Sequence, residues 1–207
     1  MKLNAQQLRE LEEKISIGEM RAIKRNPIYL ILENIYDTYN IGGLFRLADA
    51  IAAEKIYLCG TTEIPPNTRI KKASIGTYKV VDWEYRKSAK EAINDVKSSW
   101  FIVHSSAKKT MNNELTNYEQ EKLQVIAVEQ HPDSTDYRKA EYRLPIALIF
   151  GNESYGILPE TLKLADQIVE IPMFGINKSL NVIVSAAIVS YWAINKFNLS
   201  FKKNIEP

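Results

Sequence analysis

The order of apolar and mixed stretches along the chain predicts an α/β fold. Residues 28–32, IYLIL, are apolar at every position, which is typical of a strand covered on both faces. Residues 40–53 place apolar side chains at helical spacing, and KIYLCG at 55–60 is typical of a second strand. A strand, a helix and another strand in succession predict a mostly parallel sheet with helices on both faces.

Later apolar runs predict further strands of the same sheet, with a helix around 86–97. The predicted strands lie at 79–83, 100–104, 123–130, 145–151 and 167–173. Residues 179–197 are apolar almost all round, so a helix there must be covered on both sides, by its own domain or by a partner chain.

A short helical lead over residues 1–27 is predicted ahead of the first strand. Asn4 and Gln7 resemble a capping box, and Asn26-Pro27 stops the segment. The rest of the chain, 28–207, is expected to form one domain, because 207 residues with 45% apolar content can bury roughly 70% of their unfolded surface around one core.

Composition limits the cellular compartment and the kinds of partner that are expected. Cys59 is the single cysteine, which excludes an intramolecular disulfide and fits a reducing, cytoplasmic compartment. No stretch approaches the roughly 18 apolar residues of a membrane span, so no membrane partner is expected. Residues 1–110 hold 18 Lys/Arg against 13 Asp/Glu, and the remainder 9 against 12. A basic first half attracts phosphate weakly, although a solvated surface has the same composition.

Several common chemistries lack their sequence patterns. There is no G-x-G-x-x-G after the first strand and no phosphate-binding G-x-x-x-x-G-K-[ST], which disfavours classical dinucleotide and P-loop sites. His104 and His131 stand far apart and no H-E-x-x-H occurs, so no metal is predicted. Ser154 lacks the G-x-S-x-G turn of serine hydrolases.

Two glycine-bearing loops follow predicted strands and are candidates for one site. GNESYG at 151–156 and PMFGINKS at 172–179 both come where a strand ends, and ligands of parallel sheets lie beyond those carboxyl ends. The plainer interpretation is two ordinary turns. The helix after the first strand is a third candidate: Asn40 can cap it, and Arg46 lies away from its apolar stripe, so an anion could dock there. Alternatively, Asn40 is only a cap worth about 1 kcal/mol.

Three segments in order resemble the motifs of the SpoU/TrmH-like branch of the SPOUT methyltransferases. They are NIYDTYNIGGLFRLADA, LIFGNESYGI and IPMFGINKSLNVIVSAA, and PPNTRIKKASIGTYKVVDWEY resembles a further family segment. The resemblance implies that residues 28–207 form a catalytic domain with a deep C-terminal trefoil knot. It also implies S-adenosylmethionine as cofactor, methyl transfer to a ribose 2′-hydroxyl of tRNA or rRNA, and a homodimer formed through the terminal helix and knot. No DNA partner is expected.

The resemblance also assigns site residues. The implied catalytic set is Asn40, Arg46, Glu153, Ser179 and Asn181. The implied cofactor-binding set is Val128, Gly151, Ile171, Met173 and Leu180, with the glycines making room for the cofactor.

The roles within the catalytic set stay open. Arg46 is either the base or a phosphate clamp that polarises the hydroxyl, and the second is favoured because a guanidinium keeps its proton below a pH of about 12. Glu153 either orders its loop or orients Arg46. Ser179 and Asn181 are expected to hydrogen-bond the substrate ribose or the cofactor loop.

Some features depart from the family pattern or leave alternatives open. Ile183 stands where serine usually follows, and the 100–122 segment is longer than in typical members. Expected phosphate contacts, each of which could equally be a solvated side chain, are Arg69, Lys71, Lys72, Lys108 and Lys109. The alternative functions are a catalytically silent RNA-binding relative and a base-nitrogen methyltransferase on the same scaffold.

Overall fold

The computed structural model describes residues 24–107 and 122–197, and side chains in 24–100 and 122–197. The predicted helical lead therefore lies outside the described residues except for its last four positions, where the first strand already begins at Asn26. In this described part of the chain, no helix combines the length and apolar character needed to cross a membrane.

A seven-stranded sheet forms the centre of the described fold, and every ladder in it is parallel. The strands are β1 Asn26–Glu33, β2 Ala53–Cys59, β3 Trp83–Arg86, β4 Gln124–Val128, β5 Thr135–Asp136, β6 Ile146–Phe150 and β7 Gln167–Glu170. Their order across the sheet is β3-β2-β1-β6-β4-β7-β5. The predicted α/β class with a parallel sheet is confirmed.

Helices cover both faces of this sheet. They are α1 Thr38–Ala50, α2 Thr68–Ser74, α3 Ala89–Ala107, α4 Pro159–Leu162 and α5 Val182–Lys196, with a 3-10 turn at Thr77–Lys79. Side chains of β1 alternate between two buried clusters, as strand geometry requires. Leu30 packs in the cluster that holds α1 and α5, whereas Ile31 packs in the cluster that holds α3.

Two predicted strands are wrong. The run at 79–83 begins in a helical turn, because Gly76 adopts a left-handed φ of 85° and the Val81 amide donates to the Thr77 carbonyl; the strand starts only at Trp83. The run at 100–104 continues α3, which reaches Ala107 without meeting a glycine or proline. Short apolar runs do not by themselves distinguish a buried helix from a strand.

The strand order places the candidate loops side by side. From β1 the chain adds β2 and β3 on one side, and β6, β4 and β7 lie on the other, so the direction of winding reverses between β1 and β6. Ligand sites of parallel sheets form at such a reversal, beyond the carboxyl ends. The start of α1 and the loops after β4, β6 and β7 therefore meet at one edge. The trefoil knot stays a prediction, with which this order is consistent.

Candidate functional site

A cavity of about 410 Å³ lies at the carboxyl ends of β4, β6 and β7. All five residues predicted to hold a cofactor line it, namely Val128, Gly151, Ile171, Met173 and Leu180. Glu153 and Ser179 from the predicted catalytic set also line it. The two loops singled out in the sequence therefore form one site, as expected from their positions after neighbouring strands.

A chain of hydrogen bonds joins the three motif segments beside this cavity. The Asn181 amide Nδ2 donates to Asn40 Oδ1 over 3.0 Å, and Asn40 Nδ2 donates to Glu153 Oε1 over 2.9 Å. Asn40 is only 5% exposed, so its amide is fixed between these two partners. The chain of bonds couples the start of α5, the first turn of α1 and the loop after β6.

Glu153 also holds the approach to α1. Its Oε2 accepts the Tyr36 amide at 3.0 Å, and its Oε1 accepts the Asp37 amide at 3.2 Å. Partial burial on its own would raise the pKa of Glu153, but the hydrogen bonds from Tyr36, Asn40 and Asp37 outweigh burial and lower the pKa. These hydrogen bonds tie the loop after β6 to the β1–α1 connection. Of the two roles predicted for Glu153, they support ordering its loop.

The predicted cap of α1 is wrong. Asp37 caps this helix, since its carboxylate accepts the Tyr39 amide at 2.8 Å. Asn40 lies inside the first turn, where its side chain faces Glu153 and Asn181 instead of its own backbone. Its hydrogen-bond partner Asn181 is itself a cap: it accepts the Ile183 amide at 2.9 Å, so α5 starts at Val182 and not at residue 179.

Arg46 lies on the outer side of α1. A Cβ added to Gly42 would meet Ala73 of α2, and one added to Gly43 would meet Ile183 of α5, so the glycines let both helices pack closely against α1. Arg46 follows them by four and three residues and therefore points out between α2 and α5. It is exposed, and among the described residues no hydrogen bond or ion pair engages its guanidinium, including any with Glu153.

The glycines of the cavity loop let its backbone approach itself closely. A Cβ at Gly151 would lie 2.3 Å from the carbonyl carbon of Gly156, and a Cβ at Gly156, whose φ is 70°, would lie 2.2 Å from Glu129 Oε2. The Asn152 and Gly156 backbones exchange hydrogen bonds of 3.1 and 2.9 Å. These glycines let the loop close on itself, and that they also make room for a cofactor stays a prediction.

Two carboxylates that the sequence reasoning missed also brace this loop. Glu129, at the end of β4, lines the cavity and accepts the Ile157 amide at 2.8 Å. Glu33, at the end of β1 and 2% exposed, accepts the Leu158 amide at 3.0 Å and the Thr161 hydroxyl at 2.6 Å. The signal that could have found them is the one that pointed to Glu153, a carboxylate at or just past the end of a buried strand.

The cavity favours a ligand that carries positive charge and an apolar ring. Three glutamates line it, Glu129, Glu153 and Glu170, whereas no lysine or arginine of the described residues does. Val128, Phe150 and several other apolar side chains form part of the remaining wall, beside Gln130, Asn152 and three serines. A phosphate-rich ligand would be repelled by this lining. Among all residues that the structure describes, no cluster of His, Cys, Asp or Glu is arranged to hold a metal ion.

Comparison with protein families decides the relationship. A model of the SpoU rRNA Methylase family matches residues 27–117 and 98–191. The chain belongs to this SpoU family. A Thermus thermophilus protein named tRNA (guanosine(18)-2′-O)-methyltransferase is 28% identical over 177 residues, which cover 86% of this chain and 79% of the relative. The Ralstonia nicotianae protein named 23S rRNA (guanosine-2′-O-)-methyltransferase RlmB is 26% identical, covering 84% and 61%.

Solved structures of SpoU methyltransferases share the fold. The AdoMet-bound rRNA methyltransferase from Sinorhizobium meliloti aligns with a TM-score of 0.65 and 26% identity, covering 87% of this chain and 61% of that one. AviRb from Streptomyces viridochromogenes, in complex with the cofactor AdoMet, aligns with a TM-score of 0.65 and 21% identity, covering 85% and 62%. This chain therefore spans about three-fifths of the length of these solved chains. The predicted family and fold class are confirmed.

The departures noted in this SpoU protein now have a partial account. Ile183, where serine is usual, packs its side chain against Gly43 and so joins α5 to α1. The long 100–122 segment begins as the end of α3, and residues 108–121 lie outside the described part. Arg69, Lys71 and Lys72 are exposed on α2, while Lys108 and Lys109 lie outside the described residues.

Proposed function

We propose that this SpoU family member transfers a methyl group from S-adenosylmethionine to a ribose 2′-hydroxyl of tRNA or rRNA. The hydrogen-bond chain from Asn181 through Asn40 to Glu153 carries this proposal. It brings together three motif residues from separate parts of the sequence, of which Glu153 lines the cavity. Two ordinary turns would not require side-chain hydrogen bonds between residues so far apart in the sequence.

The cavity fits the proposed cofactor. S-adenosylmethionine has a sulfonium and an ammonium against one carboxylate, so its net charge is positive and suits a lining of three glutamates without lysine or arginine. The apolar wall suits its adenine ring, and about 410 Å³ lies within the roughly 300–1,000 Å³ usual for such sites. When bound, the cofactor supplies an electrophilic methyl group. Val128, Gly151, Ile171, Met173 and Leu180 would hold it.

The residues of the chain provide positioning and help with one proton. A ribose hydroxyl is a poor nucleophile at neutral pH, so alignment and polarisation carry most of the catalysis. Arg46, exposed between α2 and α5, clamps a phosphate of the RNA and polarises the hydroxyl. In this proposal the hydroxyl proton passes to solvent as the methyl group is transferred, and Arg46 is not assigned as the base because a guanidinium is a poor base near neutral pH. Glu153, Asn40 and Asn181 fix α1 and thereby place Arg46, and Ser179 offers a hydroxyl at the cavity rim.

RNA is the substrate class that the relatives and the surface support. The relatives carry the names of tRNA and 23S rRNA methyltransferases. On α2 of this chain, Arg69, Lys71 and Lys72 are exposed and available for phosphate contacts. Contacts of this kind position an RNA without reading its sequence, so the choice of nucleotide must depend on other groups.

The working form in this proposal is a cytoplasmic homodimer. Phe174 and Ile176 in the loop before α5 are 91% and 99% exposed, and Val184 and Tyr191 on α5 are 44% and 52% exposed. Large apolar side chains exposed on one helix and on the loop before it favour a surface that a partner covers. The single thiol, Cys59, is buried, and burial raises its pKa to about 12, which suits a protein without redox chemistry in a reducing compartment.

The proposal is tested by identifying the product. Purified protein is incubated with methyl-labelled S-adenosylmethionine and bulk tRNA or rRNA, and the RNA is digested to nucleosides for mass spectrometry. The expected product is a ribose 2′-O-methyl nucleoside. A base-methylated product, or S-adenosylhomocysteine binding without transfer to any bulk RNA, would overturn the proposal in favour of a base-nitrogen enzyme or a silent RNA-binding relative.

The same assay tests the role of Arg46. Arg46→Ala should abolish methyl transfer while S-adenosylhomocysteine affinity stays within a few-fold, because Arg46 is assigned to RNA. Arg143→Ala is a matched control: Arg143 is also exposed, but its backbone amide bonds to Gln124 at the start of β4, the opposite end of the strand from the cavity. A large loss of cofactor affinity in Arg46→Ala would refute the assigned role.

A further inference from the structure

We propose that a second cavity, beside the start of α1, binds one nucleotide of the RNA substrate, with the base stacked on Tyr36 and a phosphate at Arg69. The cavity has a volume of about 580 Å³ and lies between the β1–α1 connection and the loop that leads into α2. Tyr36, Asp37, Glu63 and Arg69 are among the residues that line it. This inference rests on the proposed function, because it supplies that reaction with a substrate contact.

The second cavity adjoins the first across a thin wall. Tyr36 and Asp37 line the second cavity, and their backbone amides donate to the Glu153 carboxylate, which lines the first. A methyl acceptor has to lie next to the methyl donor, since transfer requires in-line contact of the reacting atoms. A nucleotide held on the far side of this wall is therefore close to the ribose that is methylated.

The lining has the chemistry of a nucleotide site. Tyr36 is 84% exposed although its backbone amide donates a hydrogen bond to Glu153, so its ring projects into solvent from a fixed backbone position. Exposed aromatic rings on rigid stems are the usual platforms for unstacked bases of RNA. Arg69 supplies an exposed cation for phosphate, and Glu63 is an exposed acceptor for N–H groups or a ribose hydroxyl.

The neighbourhood of the second cavity also differs in charge from the first. Arg69 lines it beside the carboxylates of Asp37 and Glu63, and Lys71 and Lys72 follow Arg69 on the same short helix, whereas no lysine or arginine of the described residues lines the first cavity. The first cavity therefore suits a net cation, and Arg69 gives the second cavity a phosphate contact that the first lacks. This division matches a reaction between a sulfonium donor and an RNA acceptor.

The test compares substitutions in the second cavity by steady-state kinetics with the bulk RNA that wild-type protein methylates. Base–aromatic stacking corresponds to a roughly 5-fold to 150-fold change in affinity. Tyr36→Ala should raise the KM for RNA within that range, while Tyr36→Phe, which keeps the ring, stays within about two-fold of wild type. Arg69→Ala should raise the KM and reduce the slope of log KM against log salt concentration by about 0.7 to 1.

Controls separate this inference from the proposed function. Lys90→Ala removes an exposed cation on α3, which packs on the other face of the sheet, and should leave the KM and its salt slope unchanged. S-adenosylhomocysteine affinity should be unchanged in all four variants. If wild-type protein transfers no methyl group to RNA, the proposed function fails. If wild-type protein is active but Tyr36→Ala and Arg69→Ala match it in the KM for RNA, the nucleotide site alone is overturned.

Free nucleotides offer the same chemistry as an RNA segment, so a second arm distinguishes the two sources. Nucleoside monophosphates are added as competitors in the same assay. Inhibition only at millimolar levels, together with the expected KM changes, supports a site that serves RNA. Micromolar inhibition by a free nucleotide that Tyr36→Ala relieves, with the KM for RNA unaffected, would overturn the RNA assignment.

Discussion

The Glu153 carboxylate receives three hydrogen bonds, from the Tyr36 and Asp37 amides and from the Asn40 side chain. Removing an acceptor from partly buried donors costs about 1–3 kcal/mol. We expect Glu153→Ala to lower the free energy of unfolding by about 1–2 kcal/mol, because only Asn40 among the donors is buried. Urea denaturation measures the change. Glu160→Ala, at an exposed position of α4, is the control; equal losses in the two variants would contradict this role.

The same carboxylate predicts a pH dependence. Because its pKa is lowered on folding from an ordinary value of 4.5, its ionised form stabilises the protein above that pH, and the contribution disappears as the pH falls through the lower folded pKa. The difference in unfolding free energy between wild type and Glu153→Gln should therefore be constant near neutrality and shrink below a pH of about 4.5. A difference that grows in acid would show the opposite sign and refute the assignment.

Gly151 tests whether the loop must close on itself. A Cβ there would come within 2.5 Å of the Gly156 and Ile157 backbones, which cannot move aside as a side-chain tip can. Gly151→Ala should lower the unfolding free energy by about 1–3 kcal/mol and weaken S-adenosylhomocysteine binding measured by calorimetry. At Gly175 a Cβ would meet nothing within 4 Å, so Gly175→Ala is the control. Normal stability with lost binding in Gly151→Ala would instead support the idea that this glycine clears space for the cofactor.

The sequence identifies site residues more readily than their contacts. Glu153 could be found because a carboxylate after a buried strand lies at the ligand-binding edge of a parallel sheet. Neither spacing nor composition shows that Asn40 turns toward Glu153 while Asp37 caps the helix, since both residue types favour caps. Glu33 and Glu129 show the same limit, because the backbone amides that they bind lie far along the chain, at Leu158 and Ile157.

The packing of α1 against its two neighbouring helices gives a prediction about paired glycines. A Cβ on Gly42 would lie 2.5 Å from Ala73 Cβ and 2.9 Å from the Ser74 backbone, whereas one on Gly43 would meet mainly the tip of Ile183. A side-chain tip can shift, and Gly to Ala inside a helix gains up to about 1 kcal/mol in propensity.

We therefore expect Gly42→Ala to be more destabilising than Gly43→Ala by at least about 1 kcal/mol in thermal or urea unfolding. Adding Ile183→Val to Gly43→Ala should relieve what strain remains, because it removes the contacting methyl group. If Gly43→Ala were the more destabilising variant, the expectation would be wrong. The Ile183 side chain would then be unable to shift away from the added methyl group.

Strands that show both a continuous apolar run and polar residues at the ends of that run are predicted well from the sequence. Elements that show only one of these signals are not. The runs that form β1, β2, β4 and β6 have continuous apolar character bounded by polar residues, and their positions are confirmed. The run at 100–104 is apolar too, but the preceding helix simply continues through it. Helix α2 escapes prediction inside a polar loop because one asparagine, Asn67, starts it by accepting the Arg69 and Ile70 amides.

The arrangement of the strands lay beyond what periodicity could reveal. Adjacent runs in the sequence suggest neighbouring strands, and that holds for β1, β2 and β3, but β6 lies between β1 and β4. This insertion is what carries the 151–156 loop next to α1 and lets Glu153 reach Asn40. Only the resemblance of three ordered motifs implied such convergence, because physical rules alone favour simple, unthreaded connections.

Apolar exposure on and near α5 makes the oligomeric state the property of the fold that most needs a test. Val184 and Tyr191 are seven residues apart, so they lie on one stripe of the helix, and both are largely exposed. In the proposed dimer this stripe is buried, so a charge placed in it would lose its hydration without gaining a partner, which is costly. Tyr191→Glu should therefore weaken the proposed dimer by at least about tenfold, shifting sedimentation toward the monomer mass of 23.7 kDa. Lys90→Glu, on the helix that covers the other face of the sheet, should leave sedimentation unchanged. Wild-type protein that sediments as a monomer at micromolar concentration would refute the dimer, and the exposed stripe would then require another partner.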